Sequence, residues 1–246
     1  MKTNLIHLAM GTMLACGMVA CQSPKGFTIE HQGDTLTVVH VSAPGKYLLL
    51  PIQESSNEGK VKLETGSPAD MAMDVRLAVD SIEYYVPFEI PQGGDATVSI
   101  RKVAADAVCW EHIQLTDTFD TSNTDYYRPV YHHTPLYGWM NDPNGMVYKD
   151  GEYHLYFQYN PYGSKWGNMH WGHSVSTDLI HWNHLKPAIA RDTLGHIFSG
   201  STVVDKNNTA GYGDNALIAL YTSASDEHGQ IQCMAYSTDD GRTYTK

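Results

Sequence analysis

The sequence predicts an all-β chain in two parts, a β-sandwich followed by blades of a β-propeller, and three observations carry that expectation. From residue 27 onward, short β-branched or alternating runs are punctuated by Gly, Pro, Asn and Ser. A polar stretch at 116–125 separates two textures of sequence. Beyond it a hairpin and its closing turn come back, with Ser176-Thr177-Asp178 returning 61 positions later as Ser237-Thr238-Asp239. A four-stranded unit at such a period is the signature of a propeller blade.

Residues 1–20 come first. Lys2 gives a short positive start, and Leu5 to Ala20 is mostly apolar with no acidic residue. The run is too short for a comfortable membrane span, which needs about 20 apolar residues, and reads as a secretory signal peptide. Met18-Val19-Ala20-Cys21 is similar to a bacterial lipobox, with Met18 where Leu is usual, so Cys21 is the expected lipidation site and 21–26 a tether. Cys16, after Leu14-Ala15, is a second candidate. With Cys21 acylated, Cys109 and Cys233 fall in different halves, no disulfide framework is expected, and both read as small buried hydrophobes. No acidic cluster follows Cys21, which favours the periplasmic face of the membrane over the cell surface.

The sandwich is expected over 27–115. Its runs are Phe27 to Ile29, Leu36 to Val39, Tyr47 to Leu50 and Ala96 to Ile100, with turns at Gly33-Asp34, Pro44-Gly45 and Pro91 to Gly94. The blades are expected over 126–246. Met146 to Tyr148 and Tyr153 to Phe157 flank Lys149-Asp150-Gly151 as a β-hairpin, and Thr202 to Val204 with Ala216 to Tyr221 form its counterpart. Two such units cannot close a ring.

Composition limits the partners. With 27 Asp+Glu against 16 Lys+Arg the net charge is -11, which argues against nucleic acid and anionic membrane surfaces. A hydrophobic content of 42% excludes disorder throughout. The 16 Tyr, and five Trp lying between Trp110 and Trp182, suit a sugar cleft and a β-rich core equally.

The densest segment is Tyr137-Gly138-Trp139-Met140-Asn141-Asp142-Pro143-Asn144-Gly145. Pro143 fixes one dihedral and Asn144-Gly145 suit a tight turn, so Asp142 is either a rigidly held carboxylate or a solvated turn residue. Spacing alone favours the second. The wider sequence changes the balance. The run resembles the opening signature of glycoside hydrolase family 32, the fructan hydrolases. Four further blocks follow in that family's order: Phe157 to Pro161, Trp166 to Ser174, Ser176 to Trp182, and Phe198-Ser199-Gly200-Ser201. The segment from Phe27 to about Leu115 more weakly resembles a sandwich module found ahead of some bacterial members.

The resemblance implies a five-bladed propeller and retaining hydrolysis of β-fructosidic bonds in fructans or sucrose, with no cofactor. Asp142 matches the nucleophile, and Asn141, Gln158, Trp166, Phe198 and Ser199 match positions lining the fructose subsite. Amides serve sugar hydroxyls, while aromatic faces wall the ring. Retention needs two carboxyl groups about 5–5.5 Å apart. Two family elements are missing from this sequence: an Arg-Asp-Pro motif and a general-acid Glu. Arg191-Asp192 is followed by Thr193 and precedes the Phe198 block; Glu227 is followed by His228 in a polar loop. Both are expected to be surface loop residues. A chain stopping before the acid should be inactive or nearly so, since general acid catalysis contributes roughly 10²–10⁴-fold. The alternative is a non-catalytic fructan-binding lipoprotein whose sandwich does the binding. A related hydrolase of pentose polymers fits the Asp142 and Phe198 blocks less well.

No metal is expected. His170/His173 and His181/His184 have a three-residue offset, which on a strand sets the two rings on opposite faces. Tyr153, His154, Tyr156, Phe157 and Tyr159 read as blade core.

Overall fold

The computed structural model describes residues 25–91, 95–122 and 126–246. The expected signal peptide, Cys21 and the Gln92-Gly93-Gly94 turn lie outside the described residues.

Alternation of apolar and polar side chains builds the first half. Its strands are β1 (Phe27–His31), β2 (Leu36–Val41), β3 (Tyr47–Ile52), β4 (Gly59–Leu63), β5 (Met73–Val75), β6 (Tyr84–Glu89) and β7 (Ala96–Arg101), then a one-turn helix α1 (Cys109–His112) and β8 (Gln114–Thr116). They form two antiparallel sheets, ordered β1-β2-β7-β4-β5 and β6-β3-β8. Val39, Val98 and Ile100 from the first sheet meet Leu48, Leu50, Val86 and Phe88 from the second in one core, so the two sheets make a sandwich. Cys109 is buried in that core, and burial pushes its thiol up to about 12. Cys233 departs from the expected burial: it is only half-buried, on a strand at the edge of its sheet, where it packs against the second core.

The second half continues as β9 (Trp139–Lys149), β10 (Glu152–Asn160), β11 (His170–Ser176), β12 (Asn183–Ile189), β13 (His196–Asp205), β14 (Ala216–Ser225) and β15 (Gly229–Ser237). These form two antiparallel meanders, β12-β11-β10-β9 and β13-β14-β15, and the sheets do not close into a ring. Asp150 and Gly151, with φ of +50° and +92°, make the expected two-residue hairpin between β9 and β10. The repeated turn is the same device twice. Ser176 Oγ donates to Asp178 Oδ1 at 3.1 Å, and Ser237 Oγ donates to Asp239 Oδ1 at 2.7 Å. Thr245 then bridges Tyr236 just as β12 pairs with β11.

One expectation is corrected. Asn141 to Gly145 form no tight turn; they lie inside β9, which crosses them with register shifts against β10. Pro143 is tolerated because β9 is an edge strand of its sheet, as are β6 with Pro87 and β12 with Pro187. Gly145 has φ +49°, and a Cβ there would stand 2.8 Å from the Trp171 ring and 2.5 Å from Thr202 Oγ1. Glycine thus lets β9 close on β13.

Candidate active site

The irregular ladder of β9 turns Asn141 and Asp142 towards the start of β13, and there the expected residues converge. Asn141, Asp142, Gln158, Trp166, Phe198 and Ser199 all line one cleft of about 290 Å³, together with Thr222 and Gln230. Among the described residues, Asp142 is the one carboxylate lining it.

Asp142 is held from beneath. Ser199 Oγ donates to Asp142 Oδ2 at 3.0 Å. With the Asn144 amide turned so that its oxygen faces donors, Asn144 accepts from Gln158 Nε2 at 2.8 Å and donates to Ser199 Oγ at 3.2 Å. Gln158 Nε2 also donates to the Ile197 carbonyl at 2.9 Å. Gln158 and Asn144 are each 2% exposed, so the first two members of this Gln158–Asn144–Ser199–Asp142 relay are shielded from water, while Ser199 and Asp142 are exposed in the cleft. A satisfied buried network of this kind fixes orientation. Asn141 is set by the Trp139 indole, whose Nε1 donates to Asn141 Oδ1 at 2.9 Å.

The wall is aromatic. The Trp166 and Phe198 rings are 6.0 Å apart, and His196 lies 5.4 Å from Trp166 and 6.0 Å from Phe198. Trp166 is 50% exposed, which leaves a face for a ligand. Trp171, fully buried, donates from Nε1 to the Phe198 carbonyl at 3.0 Å. His196 accepts from the Met169 amide through Nδ1 at 3.1 Å, so its proton sits on Nε2. Desolvation, with Arg191 nearby, lowers its pKa to about 4, and the ring is neutral near pH 7.

Asn144, His196, Thr222 and Gln230 escaped the sequence reading. His196 had a signal, since it stands two residues before Phe198 on the same strand face. Thr222 and Gln230 had none locally, because the β14–β15 hairpin brings them to the cleft.

Two further residues need correction. Arg191 is no surface loop residue: its Nη1 donates to Asp74 Oδ2 at 2.9 Å and Asn168 Oδ1 at 2.7 Å, tying the halves together. Asp192 is half-buried and pairs with Lys246. Both are drawn in because the loop after β12 folds back onto the sandwich and the Asn168 turn. Glu227 is exposed in the β14–β15 turn and faces only His228. His170 and His173 lie in separate surroundings on β11, the first near Tyr162 and the second stacked on Tyr156.

The cleft thus sets a carboxylate beside amides and an aromatic wall at the junction of two β-meanders. Residues 132–246 match the family model for the glycosyl hydrolases family 32 N-terminal domain, and residues 33–131 match a domain of unknown function (DUF4980). The levanase of Bacillus subtilis is 58% identical over 134 residues, covering 53% of this chain and 20% of that protein. The extracellular exo-inulinase of Aspergillus awamori is 45% identical over 139 residues, covering 48% of this chain and 26% of that protein. A solved fructofuranosidase from Schwanniomyces occidentalis, complexed with fructose, aligns at 45% identity and TM-score 0.48, over 52% of this chain and 27% of that one. The chain thus spans between a fifth and about a quarter of the length of these curated relatives.

Proposed function

We propose that the cleft takes the terminal β-fructofuranosyl unit of a fructan or of sucrose, with Asp142 as the nucleophile of retaining hydrolysis. The observation that carries this reading is convergence: Asn141/Asp142, Gln158, Trp166 and Phe198/Ser199 come from four separate sequence blocks and line one cleft. In the reaction Asp142 attacks the anomeric carbon through the oxygen that Ser199 leaves free. The C–O bond to the leaving group breaks, and a fructosyl ester forms on Asp142. A second carboxyl must protonate the leaving oxygen and then activate the water that cleaves the ester.

The cleft supplies one carboxylate among the described residues, which favours binding without turnover for residues 1–246 taken by themselves. A non-catalytic fructan-binding role is the second reading, and the same observation supports it. Calorimetric titration with a levan-derived oligosaccharide, alongside assay of fructose release from levan, inulin and sucrose, separates the outcomes. We expect binding that Trp166→Ala weakens at least tenfold, and no release. Sustained release by this polypeptide would overturn the inactivity, and no binding at all would overturn the fructose reading. The proposed setting is export with a lipid anchor on Cys21 at the periplasmic face, checked by intact mass and fatty-acid labelling of the wild type against Cys21→Ala.

A further inference from the structure

Trp166 supplies much of the aromatic wall, yet it stands on a loop. Between β10 and β11 the chain makes no ladder from residue 161 to 169, and Asn160 bridges the bend: its Nδ2 donates to the Lys165 carbonyl at 2.9 Å, and its Oδ1 accepts from the Tyr162 amide at 3.0 Å and Asn168 Nδ2 at 3.2 Å. At the end of the loop Met169 pairs with His196 and Ile197 of β13, and further anchors come from the sandwich. Glu54 Oε1 accepts from the Ser164 amide and the Ser164 hydroxyl, each at 2.7 Å, and from the Tyr84 hydroxyl. Lys165 Nζ donates to the Glu54 carbonyl at 2.6 Å. Burial opposes the charge on Glu54, but hydrogen bonds from Tyr84 and Ser164 and the charge of Lys165 hold its carboxyl below the usual range.

A second clamp lies on the other side of Trp166. Asn168 sits at φ +42°, and its amide grips the main chain of Asp74: Oδ1 accepts from the Asp74 amide at 2.9 Å and Nδ2 donates to the Asp74 carbonyl at 2.7 Å. Asp74 in turn holds Arg191, which reaches back to Asn168. Tyr162 is set against the sandwich core, its ring 5.8 Å from Phe88. Trp166 therefore hangs between two clamps, each two residues away, and the sandwich takes part in both.

We propose that Glu54 and Asp74 are positioning residues for the sugar cleft: through Ser164 and Asn168 they fix the loop bearing Trp166, so the N-terminal half sets affinity without touching the sugar. A wall ordered during folding need not be ordered by the ligand, and affinity rises by that difference. The proposal rests on the fructose reading for its ligand, but the brace itself can be tested without sugar.

The test uses Glu54→Ala, the milder Glu54→Gln, Trp166→Ala and the Glu54→Ala/Trp166→Ala pair in the purified protein. Hydrogen exchange is read over 161–169, and oligosaccharide affinity by calorimetry. We expect Glu54→Ala to speed exchange in that loop at least tenfold while β10 and β11 stay protected, and to weaken binding about tenfold, with Glu54→Gln recovering most of both. In the Trp166→Ala background Glu54→Ala should add less than twofold, because its effect passes through the missing ring. Unchanged loop exchange, or loosening of the whole sandwich, overturns the brace. So does an undiminished tenfold loss on top of Trp166→Ala. A loosened loop with affinity unaltered in Glu54→Ala and in Trp166→Ala alike supports the brace and sinks the fructose reading instead.

Discussion

The two halves bury different matter. The sandwich core is aliphatic, built on Val39, Leu48, Leu50, Ile52, Val61, Val98 and Ile100, and its buried polar side chains are few: Thr37, Gln53 and Ser99. The second half closes around Tyr156, Trp171 and Tyr221, and buries Asn144, His154, Gln158, Asn160, Asn168, His170 and His173. Aliphatic burial is non-directional and stabilises by area, whereas buried amides and imidazoles add little net free energy and fix geometry. The first half supports, and the second half carries the cleft. The part that carries the cleft is the one whose interior is rich in buried polar side chains.

Acid should split the halves most strongly. Desolvation lowers His170 and His196 to about 4 and His173 to about 3, and all three lie in the second half. An unfolded histidine titrates near 6.5. Between about pH 6.5 and 4 the unfolded chain binds protons that the folded chain refuses, so stability is whole above about pH 6.5 and falls as the pH drops towards 4. The two deeply buried rings, His170 and His173, should each cost on the order of 3 kcal/mol over that window, and the half-buried His196 less. Hydrogen exchange at pH 7.5 and 4.5 should show β9 to β15 losing protection before β1 to β8. Equal loss in both halves would break the contrast.

Core truncation sharpens it next. Trp171→Ala should cost about 3–5 kcal/mol and Leu50→Ala about 2–5 kcal/mol in denaturant unfolding. Only the first should abolish oligosaccharide binding by the folded protein, because Trp171 also carries the Phe198 carbonyl. If Leu50→Ala harmed binding as much, the division of labour would be wrong. The smallest effect belongs to the exposed Lys186–Glu89 bridge between the halves, at 2.7 Å. Its removal by Glu89→Gln should shift unfolding by less than about 1 kcal/mol and leave affinity alone.

Much of this was legible in the sequence. Runs such as Leu36 to Val39 and turns such as Lys149-Asp150-Gly151 carry their structure locally, and the repeated Ser-x-Asp turn announced a second sheet. Six cleft residues were found because each lies in a block whose order carries a family resemblance. What stayed hidden depends on distant pairing. Strand β6 contains Pro87, which interrupts the pattern of a strand but costs little on a sheet edge. Arg191 reads as a loop residue beside Asp192 and Thr193, and nothing nearby announces Asp74 as its partner. Asn144 reads as a turn residue until burial makes it the link between Gln158 and Ser199.

The strand order of the sandwich also has a consequence in time. In the second half every sheet neighbour is the next strand in sequence, so each hairpin can close over a short loop. In the first half β7 must insert between β2 and β4, so Val39 waits for Val98, and β8 must return to β3. Closing longer loops is slower, and topologies rich in distant contacts fold later. The meanders can therefore assemble while the sandwich is still open. Glu54 and Asp74 reach the Trp166 loop only once that sandwich is sealed, so the cleft takes its final shape at the pace of the half that bears none of its lining residues.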